Sequence, residues 1–283
     1  MSFDPNAYRE ASLGTWEEAG SAWVRRQEDI RRMGAPVSQW MIGAINPQPG
    51  QRVLELAAGV GETGMLAAQL VAPGGEVVIS DQAETMLEGA RARAAALGLT
   101  NVDFKVINAE WIDMPLASVD AVLCRWGYML TADPAAALAD TRRVVRPSGR
   151  LALAVWDDIR ANPWALLPGL ELRERGLAGT PDPTAPGPFR LGDPARVAEL
   201  LGDAGFTEIE LDAIDVPRRH SDFDEFWDVS LDISRGLHDA VMARPQGEIE
   251  EIKASLGERF APFRKGDGSL EIPARTLVAS ATA

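Results

Sequence analysis

Three places in this chain carry side chains suited to holding a polar small molecule. Each stands at or beside the end of an apolar run of strand length. Glu55 closes the first run and is followed by Ala57-Ala58-Gly59-Val60-Gly61. Small residues there let a ligand approach the backbone, and the helix that follows offers unpaired N–H groups. Asp81, twenty residues beyond Gly61, closes the second run. A carboxylate at that point can accept hydrogen bonds from both hydroxyls of a ribose, with Gln82 beside it. Asn108-Ala109-Glu110 closes the third run and offers an amide, a backbone N–H and a carboxylate to the edge of a base. The spacing Gly59-x-Gly61-x-x-Gly64 also fits a dinucleotide fingerprint, so the turn by itself leaves the cofactor open.

These residues need strands to position them, and the chain supplies a regular series. Strands are predicted at 52–57, 76–80, 102–107, 119–124, 150–156, 207–216 and 276–281. Helices are predicted at 62–72, 83–97, from Asp133-Pro134 to about 145, at 163–176 and from 193 or 194 to 204. Strand and helix alternate up to Trp156, which predicts an α/β fold with a parallel sheet and helices on both faces. Ligands bind beyond the carboxyl ends of such strands, so the three sites should line one cleft. Residues 1–46 read as an amphipathic helical cap, with Pro36 in an early helical turn. The core is expected over 47–160. A lid segment and the sixth strand follow over 161–216, with a proline- and glycine-rich loop at 178–190. A helical insertion is expected over 217–270 and the last strand over 271–283.

Composition narrows the partners. The net charge of −14 disfavours nucleic acid and strongly anionic substrates. Arg25, Arg26, Arg31 and Arg32 are matched by Glu17, Glu18, Glu28 and Asp29, as on a solvated helix face. Cys124 is the only cysteine, so there is no intramolecular disulfide and no cysteine-based metal site, which suits a cytoplasmic protein. The first residues include Asp4, Arg9 and Glu10 where a signal peptide needs an apolar run, and no stretch has the length of a membrane span.

Between nicotinamide and S-adenosylmethionine, the residues favour the second. Glu55 can reach a charged amino-acid moiety, Met86 can pack on an adenine face, and Asn108-Ala109-Glu110 can read its edge. Tyr8 and Tyr128 are the only tyrosines and neither has a lysine four residues later, which removes the short-chain reductase pair. With these motifs in hand, residues 50–156 resemble the class I S-adenosylmethionine-dependent methyltransferases of the ubiquinone-biosynthesis-like small-molecule group. The resemblance rests on Val53 to Gly61, Asp81 with Met86-Leu87, Asn108-Ala109-Glu110 with Met114-Pro115, Val119 to Val122, and Arg143 to Leu151. It departs at Ala57, Asn108 and Ser148, where the family has glycine, aspartate and glycine.

The resemblance implies a Rossmann-like seven-stranded sheet and a cofactor site formed by Glu55, Ala57, Gly59, Gly61, Asp81, Gln82, Met86, Asn108, Ala109, Glu110 and Arg125. Methyl transfer from a sulfonium requires mainly alignment and exclusion of water, and a base only where the nucleophile must lose a proton. Tyr128 and His220 are the candidate catalytic groups. Trp23, Trp126 and Trp227 are candidates for an aromatic wall around an aromatic or lipophilic acceptor. The expected activity is methylation of a small-molecule oxygen, carbon or nitrogen. A cofactor-binding protein without turnover and a nicotinamide-dependent oxidoreductase are the alternatives.

Overall fold

The computed structural model describes residues 3–180 and 182–283. In chain order the elements are α1 (Pro5–Arg25), α2 (Gln27–Ile45), β1 (Arg52–Glu55), α3 (Glu62–Val71), β2 (Glu76–Asp81), α4 (Glu84–Ala96), β3 (Val102–Val106), β4 (Val119–Arg125), α5 (Pro134–Val144), β5 (Val145–Trp156), α6 (Pro163–Glu174), α7 (Pro194–Asp203), β6 (Thr207–Asp215), β7 (Arg218–His220), α8 (Phe223–Ile233), α9 (Arg235–Met242), α10 (Gln246–Arg259), β8 (Leu270–Ile272) and β9 (Arg275–Thr282).

Seven strands form one sheet in the order β3-β2-β1-β4-β5-β9-β6. Every recorded pairing from β3 to β5 is parallel, and β9 runs antiparallel to both β5 and β6. The fold is therefore the Rossmann-like, mostly parallel sheet that the sequence predicts. The central strands are covered on both faces, which is why they read as unbroken apolar runs such as Val77-Val78-Ile79, each fully buried. Strand order reverses between β1 and β4, so the crevice for a ligand lies beyond their carboxyl ends.

Local chemistry explains the helix starts. Asp4, Asp133 and Asp193 each accept backbone N–H bonds at an N-cap, and proline occupies the first helical position after each. Helix α4 has no cap of its own; Glu17 of α1 supplies one, accepting from the N–H groups of Glu84 and Thr85 at 2.8 and 3.1 Å. This cap fastens α1 across the edge of the sheet.

Three expectations are corrected. Pro36 lies inside α2, not in an early turn, and so leaves one helical carbonyl without its usual donor. The turn expected at 146–149 is an irregularity within β5, where the register slips and Ser148 adopts φ 65°. The insertion is not helical throughout: β7 and β8 form a two-stranded ribbon at its base, and β8 crosses the boundary expected at 271. Above that ribbon, Phe223, Phe226, Trp227, Val241, Leu256 and Phe260 make a separate apolar cluster. No helix among the described residues is long and apolar enough to cross a membrane.

Candidate active site

The carboxyl ends of β1, β2 and β4, and the residues just after β3, open into one cavity of about 950 Å³ counting its mouth. Glu55, Ala57, Gly59, Asp81, Gln82, Met86, Asn108, Ala109, Glu110 and Arg125 all line it, with Trp23 and Trp126. Thus the three polar positions separated by about 25 residues in sequence do face one enclosure.

Asp81 is buried, and its two oxygens accept from Gly59 N–H at 2.8 Å and Ala83 N–H at 3.0 Å. It therefore fixes the turn after β1 to the start of α4 and also lines the cavity. Burial raises its pKa, and these backbone donors oppose the rise. Glu55 is equally enclosed, and Gly64 N–H donates to it at 2.9 Å. Burial pushes Glu55 up to about 7, against the pull of the nearby Arg125 guanidinium. Arg125 is held by Glu62 at 2.9 Å and by Ser38 at 2.9 Å, and its guanidinium lies 5.0 Å from the centre of the Trp126 ring. Glu55, Arg125 and Glu62 thus place two carboxyl groups around one cation at the floor of the cavity.

The tripeptide Asn108-Ala109-Glu110 is more occupied than the sequence suggests. Asn108 accepts from the Glu110 N–H at 2.9 Å. Glu110 accepts from Ala132 N–H and Asp133 N–H at 2.9 and 3.2 Å, and pairs with Arg9 at 2.5 Å. Its carboxylate is therefore a clamp that ties α1 and the start of α5 to the end of β3.

Four predicted residues stand elsewhere. Gly61 faces away: with φ 76°, a Cβ there would meet Ala90, Met65 and Ile79 at 3.1–3.2 Å, so the glycine serves packing of α3 on β2 and α4. Tyr128 is fully buried and its hydroxyl pairs with Thr141 at 2.7 Å; burial raises its pKa well above the usual phenol value. It is a core residue. Trp227 belongs to the apolar cluster of the insertion. His220 lines a second cavity between α2, β7 and α8. Burial and then Arg218 pull it down to about 4, so it is neutral near pH 7.

Sequence reasoning missed most of the roof. Tyr8, Arg9, Ser12 and Trp16 of α1 line the cavity, as does Ile30 of α2. Tyr8, Ser12 and Trp16 follow at four-residue spacing with Trp23 further along, so one face of α1 was readable as a mixed polar and aromatic stripe. The Trp23 ring lies 3.5 Å from where a Cβ on Gly59 would stand, and its buried indole N–H has no partner.

The comparisons with known proteins agree with this geometry. Residues 47–167 match the family model described as a methyltransferase domain. Over those residues the chain is similar to a methyltransferase domain. The nocamycin O-methyltransferase of Saccharothrix syringae is 31% identical over 186 residues, 62% of this chain and 65% of that protein. The ubiquinone/menaquinone biosynthesis C-methyltransferase UbiE of Pasteurella multocida is 36% identical over 114 residues, 40% of this chain and 42% of that protein. The chain thus spans less than two thirds of the length of these relatives. Among solved structures, the YcgJ protein of Bacillus subtilis superposes with a TM-score of 0.56 at 20% identity, covering 87% of this chain and 97% of that one, which shows the shared fold. The methyltransferase-domain match ends in α6, so the insertion and β9 lie outside it.

Proposed function

We propose that this chain transfers a methyl group from S-adenosylmethionine to a small-molecule oxygen, carbon or nitrogen. The observation that carries the reading is the single enclosure joining the turn after β1, Asp81 at the end of β2 and Asn108-Ala109-Glu110 after β3. Bound there, the cofactor would supply a methyl group on a positively charged sulfur, open to in-line displacement. The residues fit it on two counts. Asp81 presents a buried carboxylate for a ribose, and Glu55 lines the same cavity with a second one for the ammonium of an amino-acid moiety.

The chain's own part is positioning. Gln82 donates to Ser12 at 3.2 Å and Tyr8 donates to the Leu130 carbonyl at 2.7 Å, so the roof is pinned on both sides of the cavity. Trp16, Trp23 and Met86 make a dry wall, and Trp126, Ile30 and Leu130 bound the rest. Such a surface favours an aromatic or lipophilic acceptor and excludes water from the reacting atoms. Among the described residues, no histidine lines this cavity, which favours acceptors that need little help in losing a proton. A reducing, cytoplasmic setting goes with the single, buried Cys124.

Calorimetric titration with S-adenosylhomocysteine and with NAD decides the cofactor. Binding of the first and none of the second is expected, and the reverse would revive the oxidoreductase reading. Asp81→Ala should weaken S-adenosylhomocysteine binding more than tenfold, because a buried charge-assisted contact is lost. Unchanged affinity would sink the ribose assignment. Release of S-adenosylhomocysteine with a compound panel separates turnover from mere binding.

A further inference from the structure

One charged side chain outside the cofactor cavity has no partner. Arg218 of β7 is only 5% exposed, yet among the described residues no hydrogen-bond acceptor or carboxylate meets its guanidinium. Burial alone accounts for its lowered pKa, with no charged neighbour contributing. Its one strong contact is the Trp164 ring, whose centre lies 4.4 Å from the guanidinium carbon. Other arginines on the same cavity are answered: Arg32 pairs with Asp29, and Arg219 with Glu271 at 2.9 Å. A cation taken from water without a counter-charge is unfavourable unless something else occupies the site. An aromatic face offsets part of that and leaves the planar N–H edge free.

The surroundings define what would complete it. The cavity is walled by Ile30, Met33, Val229 and Ile233, by Asp29 and Arg32, which pair with each other, and by Arg219, with His220 on the same strand as Arg218. His220 is neutral near pH 7 and adds a polar atom without charge. With the other charges of the lining paired, one unmatched positive charge calls for a monoanion, and the fork of a guanidinium matches a carboxylate in two parallel bonds. A phosphate dianion would leave one negative charge unmet.

The cavity also has a direction. Ile30 walls both this space and the cofactor cavity. From Arg218, the rings of Trp164, Trp156 and Trp126 follow one another at centroid distances of 4.9 and 4.6 Å, and Trp126 faces the cofactor cavity. We propose that Arg218 anchors a carboxylate of the methyl acceptor, so that the acceptor is a monocarboxylate with a flat apolar body reaching past Ile30 towards Trp126. This assignment rests on the methyl-transfer reading for the word acceptor, but the anchor itself can be tested by binding alone. It also reverses, locally, the bias against anions that the overall charge implies.

The probes are indole-3-acetate and 4-hydroxycinnamate, their carboxamides, and phenyl phosphate, titrated by calorimetry into the full chain with and without S-adenosylhomocysteine. Each carboxylate should bind at least tenfold more tightly than its carboxamide and more tightly than phenyl phosphate. Arg218→Gln should abolish that contrast and Arg218→Lys should keep part of it, while S-adenosylhomocysteine affinity changes less than twofold in both. Equal binding of acid and amide, preference for phenyl phosphate, or an unchanged contrast in Arg218→Gln overturns the anchor. If Arg218→Gln does not fold, the wild-type contrast and the Arg218 side-chain nitrogen shift on adding indole-3-acetate decide, and no shift overturns the proposal. A carboxylate contrast without any S-adenosylhomocysteine binding defeats the methyl-transfer reading and leaves the anchor standing.

Discussion

Glu55 ties fold stability to pH and, under the proposed function, to ligand binding. Its carboxyl is fully enclosed, and burial lifts its pKa from 4.5 to about 7. The sign of the consequence is fixed. Between those values the unfolded chain has already released a proton that the folded chain retains, so stability falls as pH rises. His220 acts oppositely, because its folded pKa is depressed to about 4 and its contribution grows as pH rises towards 6.5. Comparing wild type with Glu55→Gln cancels the histidine. From pH 5 to pH 8 the wild type should lose ~2–3 kcal/mol relative to the variant in urea melts, from a shift of that size. A constant difference would show that Glu55 does not titrate in this range. Ligand binding should run the other way. An ammonium group beside Glu55 favours the carboxylate, so S-adenosylhomocysteine affinity should rise from pH 5.5 to 7.5 in the wild type and stay level in the variant. Gly64 belongs to the same unit. A Cβ there would stand 2.5 Å from a Glu55 oxygen, so Gly64→Ala should weaken ligand binding by disturbing that carboxyl, although Gly64 lies outside the cavity.

At the scale of elements, α1 converts an open crevice into an enclosure. It is held by Arg9 on Glu110, Glu17 on the first turn of α4, and Tyr8 on Leu130. Arg9→Ala removes the partner of a carboxylate whose side chain is only 3% exposed, while Arg9 itself is 20% exposed. The loss should be about 1–2 kcal/mol, within the range for an ion pair with one buried partner. It should appear as faster hydrogen exchange in α1 and a several-fold faster S-adenosylhomocysteine off-rate in stopped flow. Unchanged exchange in α1 would show that Glu17 and Tyr8 suffice to hold the roof. The sheet and its sites were legible in the sequence because each depends on a short-range pattern. An apolar run with a small-residue turn marks β1, and a carboxylate at the end of the next run marks β2. The roof was less legible because α1 is neither strongly apolar nor charged on the face it presents, and its role depends on contacts made more than 60 residues away. Tyr128 was misleading for a related reason. Its position after β4 suits a cavity residue, but the backbone at Trp126 takes φ 61° and the chain then turns the ring into the core against α5. Glu110 reads as a base-recognising group until its three protein partners are seen.

The whole molecule has two main apolar cores with few links between them. The larger surrounds the sheet, and the smaller joins the insertion that runs from β7 to β8 with Leu172 of α6. Trp164 packs against both, and ion pairs from Arg25 and Arg26 to Asp232 and from Glu18 to Arg235 join α1 and the residue after it to α8 and α9. These pairs are partly exposed and each is worth little. The ribbon of β7 and β8 gives the insertion its own closure, since the chain leaves and re-enters the core at neighbouring points. Such a unit can open without the sheet. Phe260, fully buried among Phe223, Phe226 and Phe263, is the position that tests this. Phe260→Ala should remove about 3–5 kcal/mol from the insertion, the usual range for a buried phenylalanine. Hydrogen exchange should then speed up in α8, α9 and α10 while amides of β1 and β4 keep their protection. S-adenosylhomocysteine affinity should change by less than about threefold, because the insertion contributes no residue to the cofactor cavity. Binding of indole-3-acetate should fall much further, because Arg218, Val229 and Ile233 come from the insertion. Equal loss of protection in β1 and in α10 would mean that the two cores melt as one. Equal loss of both ligands would mean that the acceptor and cofactor spaces are not separable in the way that the two cavities suggest.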